Sequence, residues 1–313
     1  MIDIILNPAS HGFEGRQVWD QLEKILTDEY GWLSGRDFAL HETTEAHSAE
    51  AIARELTAAP DHVPFLAVIG GDGTLDEVAN GLPEDQTVRL AVFPSGSGND
   101  FVRANRLTHD IRTFAAALAH PQHFKRVDLG EVTADEDPST TRRFIVSSGI
   151  GYDASVCFIV ASARVKKLVR RLKLQSVQYT VSGVREIFRT PPMTGTFTAD
   201  GRVIRLENAR FVSAHVHPYE GGGYKFAPKA DASDGKLDFC IVNRCSTGKF
   251  FCVLAASLLH LHTHLKNVVT VRAESAELQF TQAFPAHRDG ELYGHRRKLS
   301  YRCRKSELYL LKT

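Results

Sequence analysis

The stretch Val68–Gly81, with the sequence VIGGDGTLDEVANG, combines residue types that are suited to binding a phosphate. Gly70, Gly71 and Gly73 leave backbone N–H groups uncovered by side chains, and a helix that starts here adds further amide donors. Asp72 lies among these glycines and would repel a bare phosphate, so its carboxylate favours a Mg²⁺ ion between the two. The alternative is an ordinary tight turn between a strand and a helix.

Two predicted elements position this loop. The apolar run Phe65–Ile69 predicts a buried strand before it. After the loop, apolar residues recur with helical spacing over positions 75–82. Thr74 and Glu77 form a T-x-x-E pattern, which predicts that a capping box fixes the start of this helix.

Two more predicted strands end in polar loops. Asp3–Leu6 is followed by Asn7 and Ser10, and Phe38–His41 is followed by Thr43. The repeated strand-loop-helix order predicts a parallel sheet, in which ligands bind at the carboxyl ends of the strands. These polar residues can therefore converge with the glycine loop, although the Asn and Ser side chains can also simply cap their own turn.

Three later stretches can also carry chemistry. Pro94–Asp100, PSGSGND, is a second small-residue loop opening onto a helix, with Asn99 or Asp100 as its cap. Ala227–Asp238 is dense in acids and glycine, so it can hold a hard cation, the alternative being a polar hairpin loop. In Asp289–Glu291 two carboxylates flank a glycine, so one can bind Mg²⁺ while the other accepts a proton; in isolation, D-G-E is a common turn.

Composition limits the class of protein. The 313 residues, 43% hydrophobic and 24% charged, are typical of a soluble globular protein with one large or two modest domains. The net charge of +1 argues neither for nor against nucleic acid. Five cysteines without C-x-x-C spacing predict reduced thiols in a cytoplasm. No signal peptide is visible, and the most apolar stretch, Phe250–Leu261, is too short to span a bilayer.

The predicted organisation has two parts. Residues 1–125 read as the parallel α/β domain. Residues 126–295 contain regularly spaced short β-rich runs with turn signals, which predict an antiparallel sandwich with helical insertions. We expect the segment at about 296–313 to return to the first domain. The predicted fold class is therefore α/β plus β.

The run GGDGTLDEVANGL closely resembles the signature of the diacylglycerol kinase catalytic domain, which bacterial lipid kinases and sphingosine kinases share. The resemblance recurs, in the order the family shows, at Asn7–Gly12, Pro94–Arg103, Gly149–Asp153, Ala227–Asp238 and Asp289–Glu291. It implies an N-terminal nucleotide-binding domain like those of NAD kinases and diacylglycerol kinases, followed by a C-terminal antiparallel β-sandwich. ATP and Mg²⁺ are the implied cofactors.

The resemblance also implies roles for individual residues. The nucleotide contacts would be Asn7, Ser10, Thr43, Gly70, Gly71, Gly73, Thr74, Glu77, Ser97 and Asn99. Thr44 competes with Thr43 for its role. Asp100 and Arg103 would line the lipid head-group site, although Arg103 can equally be a solvated helix charge.

Two metal sites and a general base are implied as well. A structural Mg²⁺ would take the side chain of Asp234 and the carbonyls of Asp231 and Lys236. A catalytic Mg²⁺ would take Asp72 and Asp289. In the family the D-G-E segment folds back over the nucleotide loop, so Glu291 resembles the general base. The sphingosine-kinase branch would instead favour Asp72 as the base.

The implied reaction moves the γ-phosphoryl group of ATP to the hydroxyl of diacylglycerol and gives phosphatidic acid. The alternatives are a kinase for a sphingoid base or phosphatidylglycerol, an NAD-kinase-like enzyme, and a non-catalytic nucleotide-binding regulator. The presence of both Asp289 and Glu291 speaks against the regulator.

The expected location is the cytoplasm, with peripheral attachment to the membrane that contains the acceptor lipid. Arg164–Lys173 is a basic amphipathic segment, which favours contact with an anionic membrane surface; a solvated surface helix is the alternative. We expect no nucleic acid partner, and a homodimer is left open.

Some positions depart from the family pattern. Asp76 replaces an Asn and adds a negative charge near the phosphates, and His287 replaces a Gln two residues before the D-G-E acid. His11 replaces a Gly, and His217 lies where an Asn-containing stretch is usual. We expect the changes at Asp76 and His217 to alter acceptor choice without abolishing transfer.

Overall fold

The computed structural model describes residues 1–10, 14–58, 63–84, 86–96, 98–161 and 185–313. The predicted contacts of Ser97 and the basic segment Arg164–Lys173 lie outside these ranges, as does His11. The chain forms two compact units. The N-terminal unit comprises Met1–Leu129, Ala232–Gly235 and Arg304–Thr313, and the C-terminal unit comprises Gly130–Asp231 and Lys236–Cys303.

Strands and helices alternate along the first part of the N-terminal unit. The strands are β1 (Ile2–Leu6), β2 (Phe38–Glu42), β3 (Phe65–Gly70) and β4 (Val88–Pro94). The helices are α1 (Glu14–Tyr30), α2 (Ser48–Thr57), α3 (Asp72–Gly81), α4 (Asp100–Asn105) and α5 (Ile111–Ala119). This order gives a parallel sheet with crossover helices.

The parallel strands lie in the order β4-β3-β1-β2. All six residues of β3 are buried, as its continuous apolar run predicts for a strand covered on both faces. The core on one face includes Trp19, Leu22 and Leu26 of α1, which belong to one apolar cluster with Ile4 and Phe114.

The C-terminal unit consists mostly of strands, two of which it shares with the N-terminal unit. In chain order they are β5 (Phe124–Ala134), β6 (Arg142–Phe144), β7 (Ser147–Gly151), β8 (Met193–Ala199), β9 (Arg202–Ala209), β10 (Phe211–His215), β11 (Leu237–Val242), β12 (Val268–Ala273), β13 (Ser275–Arg288) and β14 (Glu291–Leu311). Its helices include α6 (Tyr152–Ala161) and α7 (Thr247–Leu258), and short 3-10 turns lie at Pro138–Thr140 and His262–His264.

Antiparallel pairing dominates this second unit. The order is β12-β11-β10-β7-β13-β14, and β8 and β9 form a hairpin paired to β13. Phe211, Phe226 and Phe250 are buried in one apolar cluster. β14 begins in this unit, and its last part, Leu308–Leu310, pairs in parallel with β4 in the N-terminal unit. The predicted fold class, parallel α/β followed by antiparallel β, is confirmed.

One local prediction was wrong. The capping box does not start α3: the helix begins at Asp72, its N-cap is Gly71, and no side chain caps it. Helix α7 ends at Leu258, and His260 just beyond it takes a left-handed conformation with φ of 60°.

Candidate functional site

The loops that follow β3 and β4 touch each other through their backbones. A Cβ atom added at Gly71 would lie 3.0 Å from Gly96 Cα, and one added at Gly96 would lie 2.6 Å from Gly71 Cα. Neither position can take a side chain without pushing the two loops apart. Gly96 was not singled out from the sequence, although its place in a small-residue loop is the signal that could have identified it.

Asp72 joins the same two loops with its carboxylate. Its Oδ2 atom accepts the N–H of Asp100 at 3.0 Å, and its Oδ1 atom accepts the N–H of Phe101 at 3.2 Å. The side chain therefore caps the first turn of α4. Burial raises the pKa of this carboxyl, while the backbone N–H groups act to lower it. The N–H of Asn99 also acts on this carboxylate, and three amides leave at least one of its roughly four lone-pair sites unused.

The loop after β1 is tied to the other two by polar side chains. Asn7 Nδ2 donates to Thr74 Oγ1 at 3.0 Å. Ser10 Oγ donates to the carbonyl of Asn7 at 2.9 Å and lies 2.7 Å from Ser95 Oγ. Sequence reasoning missed Ser95, which is buried and has a backbone N–H that bonds to the carbonyl of Gly70. The predicted residues Asn7, Ser10 and Thr74 are thus brought together.

Thr43 and Glu77 both lie near β2 and α2, where each takes part in hydrogen bonds with the backbone. The Thr43 N–H bonds to the carbonyl of Leu6 at 2.9 Å, so Thr43 follows the carboxyl end of β2, and Thr44 is the more exposed of the two threonines. Glu77 accepts the backbone N–H of His47 at 3.0 Å and that of Ala49 at 3.1 Å. Its carboxylate thereby caps α2, a partner thirty residues away that the T-x-x-E pattern did not indicate.

The second loop is held by Asn99, which has φ of 52°. Its side chain accepts from the N–H of Gly96 and donates to the Gly96 carbonyl at 2.8 Å. Asp100 is buried and forms an ion pair with Arg103 one turn later. The two residues predicted for the lipid head group are therefore paired with each other on α4.

The acidic loop predicted to bind a structural cation is anchored by a residue that sequence reasoning missed. Asp128 Oδ2 accepts the N–H of Gly235 at 2.7 Å, and the Asp128 N–H donates to the carbonyl of Ala232. Gly235 has φ of 75°, and a Cβ added there would lie 2.2 Å from Lys305 Cε. Asp231, Asp234 and Lys236, the predicted metal-binding residues, are exposed.

Asp289 and Gly290 form the two-residue turn between β13 and β14. Both have positive φ, 44° and 84°, and Arg288 pairs with Glu291 across the turn, as in a type I′ hairpin. Glu291 is exposed at the first position of β14. The Asp-Gly pair is a strong hairpin signal, and a turn was the alternative that the sequence left open here.

The Asp289 carboxylate is bound by three consecutive backbone amides. Its Oδ2 accepts from Ile145 at 2.6 Å, and its Oδ1 accepts from Val146 at 2.8 Å and Ser147 at 2.9 Å. Burial raises the pKa of this carboxyl to about 6, against the effect of these three bonds. Both lone pairs of Oδ1 are used, so at most one lone pair on Oδ2 is left for a metal.

Asp76 and His217, two of the departures from the family pattern, are buried and lie within hydrogen-bond distance of other residues. Asp76 lies within α3, where Asn80 Nδ2 contacts its carbonyl at 2.8 Å and its Oδ1 at 3.3 Å. His217 Nδ1 lies 2.8 Å from the carbonyl of Ile145, in the segment that binds the Asp289 carboxylate.

Comparison with protein families assigns both parts of the chain. Residues 2–132 match the diacylglycerol kinase catalytic domain, and residues 146–310 match the YegS C-terminal NAD kinase beta sandwich-like domain. The Bacillus subtilis (strain 168) protein YtlR, which carries a lipid-kinase name, is 28% identical over 296 residues and covers 93% of each chain. A diacylglycerol kinase of the same organism is 26% identical over 292 residues, covering 93% of this chain and 89% of that protein.

Solved structures show the same fold. A diacylglycerol kinase from Bacillus anthracis str. Sterne superposes with a TM-score of 0.70 at 20% identity, covering 100% of this chain and 96% of that one. Yeast NADH kinase in complex with NADH superposes with a TM-score of 0.53 at 10% identity. The match covers 100% of this chain and 84% of the yeast chain. Among the described residues, no helix combines the length and apolar character needed to cross a bilayer.

Proposed function

This chain belongs to the family of diacylglycerol kinase-like lipid kinases, and from that premise we propose that it transfers the γ-phosphoryl group of ATP to the hydroxyl of diacylglycerol. The product would be phosphatidic acid. The observation that supports this most directly is the backbone contact between Gly71 and Gly96, clamped by Asp72. Such a paired glycine loop offers amide donors at close approach to phosphate, as phosphoryl transfer requires.

The residues present fit both ATP and Mg²⁺. The bare backbones at Gly71 and Gly96 form a cradle that any Cβ would fill. Asp72 presents a carboxylate fixed in orientation by backbone amides, and a carboxylate oxygen is the kind of ligand that a hard cation prefers. When bound, Mg²⁺ would neutralise charge that develops on the phosphates.

The chain's own residues would position the nucleotide. Asn7, Thr74 and Ser10 hold the three loops in one arrangement, so the loops need little reordering when phosphate binds. Thr43 follows the carboxyl end of β2 and Asn99 lies in the loop after β4, and ligands of parallel sheets bind at these strand ends. Glu77 contributes indirectly, because its carboxylate is occupied in capping α2.

Glu291 is proposed as the general base that takes the proton of the lipid hydroxyl. It is exposed at the start of β14, directly after a turn that Asp289 locks to the backbone at 145–147. We therefore assign Asp289 first to holding this turn, with metal binding through Oδ2 as a further role. Asp72 is the competing base, since it lies in the glycine loop itself.

The acceptor lipid and the membrane are proposed from the family and from the sequence. Asp100 and Arg103 form an ion pair that can exchange hydrogen bonds with a polar head group. The enzyme would work in the cytoplasm and visit an anionic membrane surface, where its acceptor resides. Asp234, with backbone carbonyls of Asp231 and Lys236, would hold a second, structural Mg²⁺.

A direct assay tests this proposal. The purified protein is given labelled ATP, Mg²⁺ and mixed micelles that contain diacylglycerol, phosphatidylglycerol or a sphingoid base. We expect label in phosphatidic acid, and none above background with Asp72→Asn. Label found only in a different lipid would identify that lipid, in place of diacylglycerol, as the acceptor. No labelled lipid from any acceptor in a total lipid extract, with intact fold and ATP binding, would favour the non-catalytic regulator.

A further inference from the structure

A buried cluster of three ionisable side chains lies in the C-terminal unit, apart from the residues assigned above to phosphoryl transfer. Asp153 is in the first turn of α6, His287 is near the end of β13, and Glu220 lies at a β-bridge with Tyr224. Their side chains are 7%, 1% and 12% exposed, respectively. One donor atom from each lies within 4.8 Å of the others.

The spacing of these atoms suits a tetrahedral metal better than direct ion pairs. His287 Nε2 lies 3.3 Å from Asp153 Oδ2 and 3.4 Å from Glu220 Oε1. Charge-assisted N–H···O bonds are shorter, about 2.7–2.9 Å. Ligand atoms at about 2.0–2.1 Å from a tetrahedral Zn²⁺ ion lie roughly 3.3–3.4 Å from one another. The two distances from His287 Nε2 match such tetrahedral edges, and the two carboxylate oxygens lie within 4.8 Å of each other.

The charges of the three side chains also favour a bound metal ion. Two carboxylates buried together repel each other, and a single imidazole can compensate only one of them. A divalent cation bound by both carboxylates and a neutral imidazole gives a net charge of zero. One nitrogen and two oxygen ligands with an open fourth position suit Zn²⁺, and also Mn²⁺ or Fe²⁺.

Independent features point to a built site. Gly149 leaves room for the cluster: a Cβ added there would lie 1.9 Å from Asp153 Oδ2 and 2.9 Å from His287 Nε2. Glu220 Oε2 is buried without a hydrogen-bond partner among the described residues. It lies 3.6 Å from His215 Nε2, which in turn lies 2.8 Å from Ser213 Oγ. Outer contacts of this kind orient the ligands of metal sites.

We propose that Asp153 Oδ2, Glu220 Oε1 and His287 Nε2 bind one divalent cation of the Zn²⁺ class. The ion links the start of α6, the turn at Glu220 and the end of β13. Because His287 lies two residues before Asp289, the ion also steadies the hairpin that carries Glu291. This site is separate in its residues from both Mg²⁺ sites considered above, and its test does not require kinase activity.

The test uses untagged full-length protein, freed of metal with a chelator and dialysed. Zn²⁺ is then titrated by calorimetry, with Mg²⁺ as the comparison, and bound zinc is measured by mass spectrometry. We expect one equivalent of Zn²⁺, a higher melting temperature with Zn²⁺, and X-ray absorption distances of about 2.0–2.1 Å with nitrogen and oxygen ligands.

Three variants separate the site from general stability. His287→Ala, Glu220→Gln and Asp153→Asn should each weaken Zn²⁺ binding by roughly 100-fold or more, the last two with little change in shape. Ser213→Ala should weaken it by about tenfold, through the contact with His215. His264→Ala, at an exposed histidine of the same unit, should leave it unchanged.

Two results would overturn the proposal. One is a folded parent that binds Zn²⁺ no more tightly than Glu220→Gln. The other is a rise in melting temperature with Zn²⁺ that is equal in the parent and in Asp153→Asn. Either result would mean that His287 and the two carboxylates share a proton and do not bind a metal ion.

Discussion

Asp72 combines a structural contact with a chemical one. Its two oxygens accept the amides of Asp100 and Phe101, and the carboxylate would also bind a cation. Replacing Asp72 by Asn removes the charge and leaves one amide facing an NH₂ group. We expect a fall in kcat of about a hundredfold or more, and a loss of stability of about 1–3 kcal/mol, because hydrogen bonds to a charged group are lost.

The matched control for this change is Asp76→Asn, which removes a buried acid from the same helix and restores the residue that the family usually has. Steady-state kinetics and thermal melting of both variants check the prediction. Equal losses in the two variants would mean that α3 as a whole, rather than the Asp72 carboxylate, is responsible.

We expect Glu291 to act as the general base without contributing to the stability of the fold. It is exposed, so Glu291→Gln should leave the melting temperature unchanged. A positioned base is worth roughly a hundredfold or more in rate, so we expect kcat to fall by that factor while KM for ATP stays nearly constant. Glu277→Gln, at an exposed glutamate of β13, is the control. A parental single-turnover rate for Glu291→Gln would transfer the base role to Asp72.

At the scale of elements, the turn between β13 and β14 depends on Asp289. Its carboxylate binds three amides that belong to buried residues of the segment 145–147. Asp289→Asn keeps one acceptor oxygen and leaves at least one amide unpaired, at a cost of about 1–3 kcal/mol. We expect a lower melting temperature as well as lower activity. An unchanged melting curve with lost activity would instead assign the carboxylate mainly to Mg²⁺.

The loops after β3 and β4 lie in backbone contact at Gly71 and Gly96, and we expect ATP binding to depend on this contact. Gly96→Ala places a methyl group 2.6 Å from Gly71 Cα, so the two loops must separate. Because amides that cradle phosphate would move apart, ATP affinity should fall by about tenfold or more while circular dichroism stays normal. Gly248→Ala, in α7 with no atom within 4 Å of the added Cβ, is the control. Unchanged ATP binding in calorimetry would contradict the loop assignment.

The elements also show how far sequence reasoning reaches. The strand at β3 and the loops at its end were predictable, because their signals are local: an apolar run, glycines and a following helical period. The partners of Glu77 and Asp289 were not, since His47 and Ile145 are 30 and 144 residues away in the chain. The Asp153–Glu220–His287 cluster escaped for the same reason, since its members come from three separate segments.

At the scale of the whole molecule, the question is how a lipid reaches an enzyme whose described helices include none able to cross a bilayer. The basic amphipathic segment Arg164–Lys173 offers the charge pattern for binding an anionic surface. Each basic residue near such a surface contributes about 1 kcal/mol, so reversing several should weaken binding steeply. The variant reverses four charges to Glu, at Lys166, Lys167, Arg170 and Arg171.

We expect this variant to sediment far less with anionic liposomes, and the difference from the parent to be larger at low salt, where screening is weak. Turnover of a short-chain acceptor dispersed in detergent should be spared, because the phosphoryl-transfer residues are unchanged. A control with the same change in net charge reverses four exposed residues of the C-terminal unit: Arg202, Arg205, Lys249 and Arg302. If both variants lose liposome binding equally, net charge alone drives attachment; if neither does, the segment is not part of the docking surface.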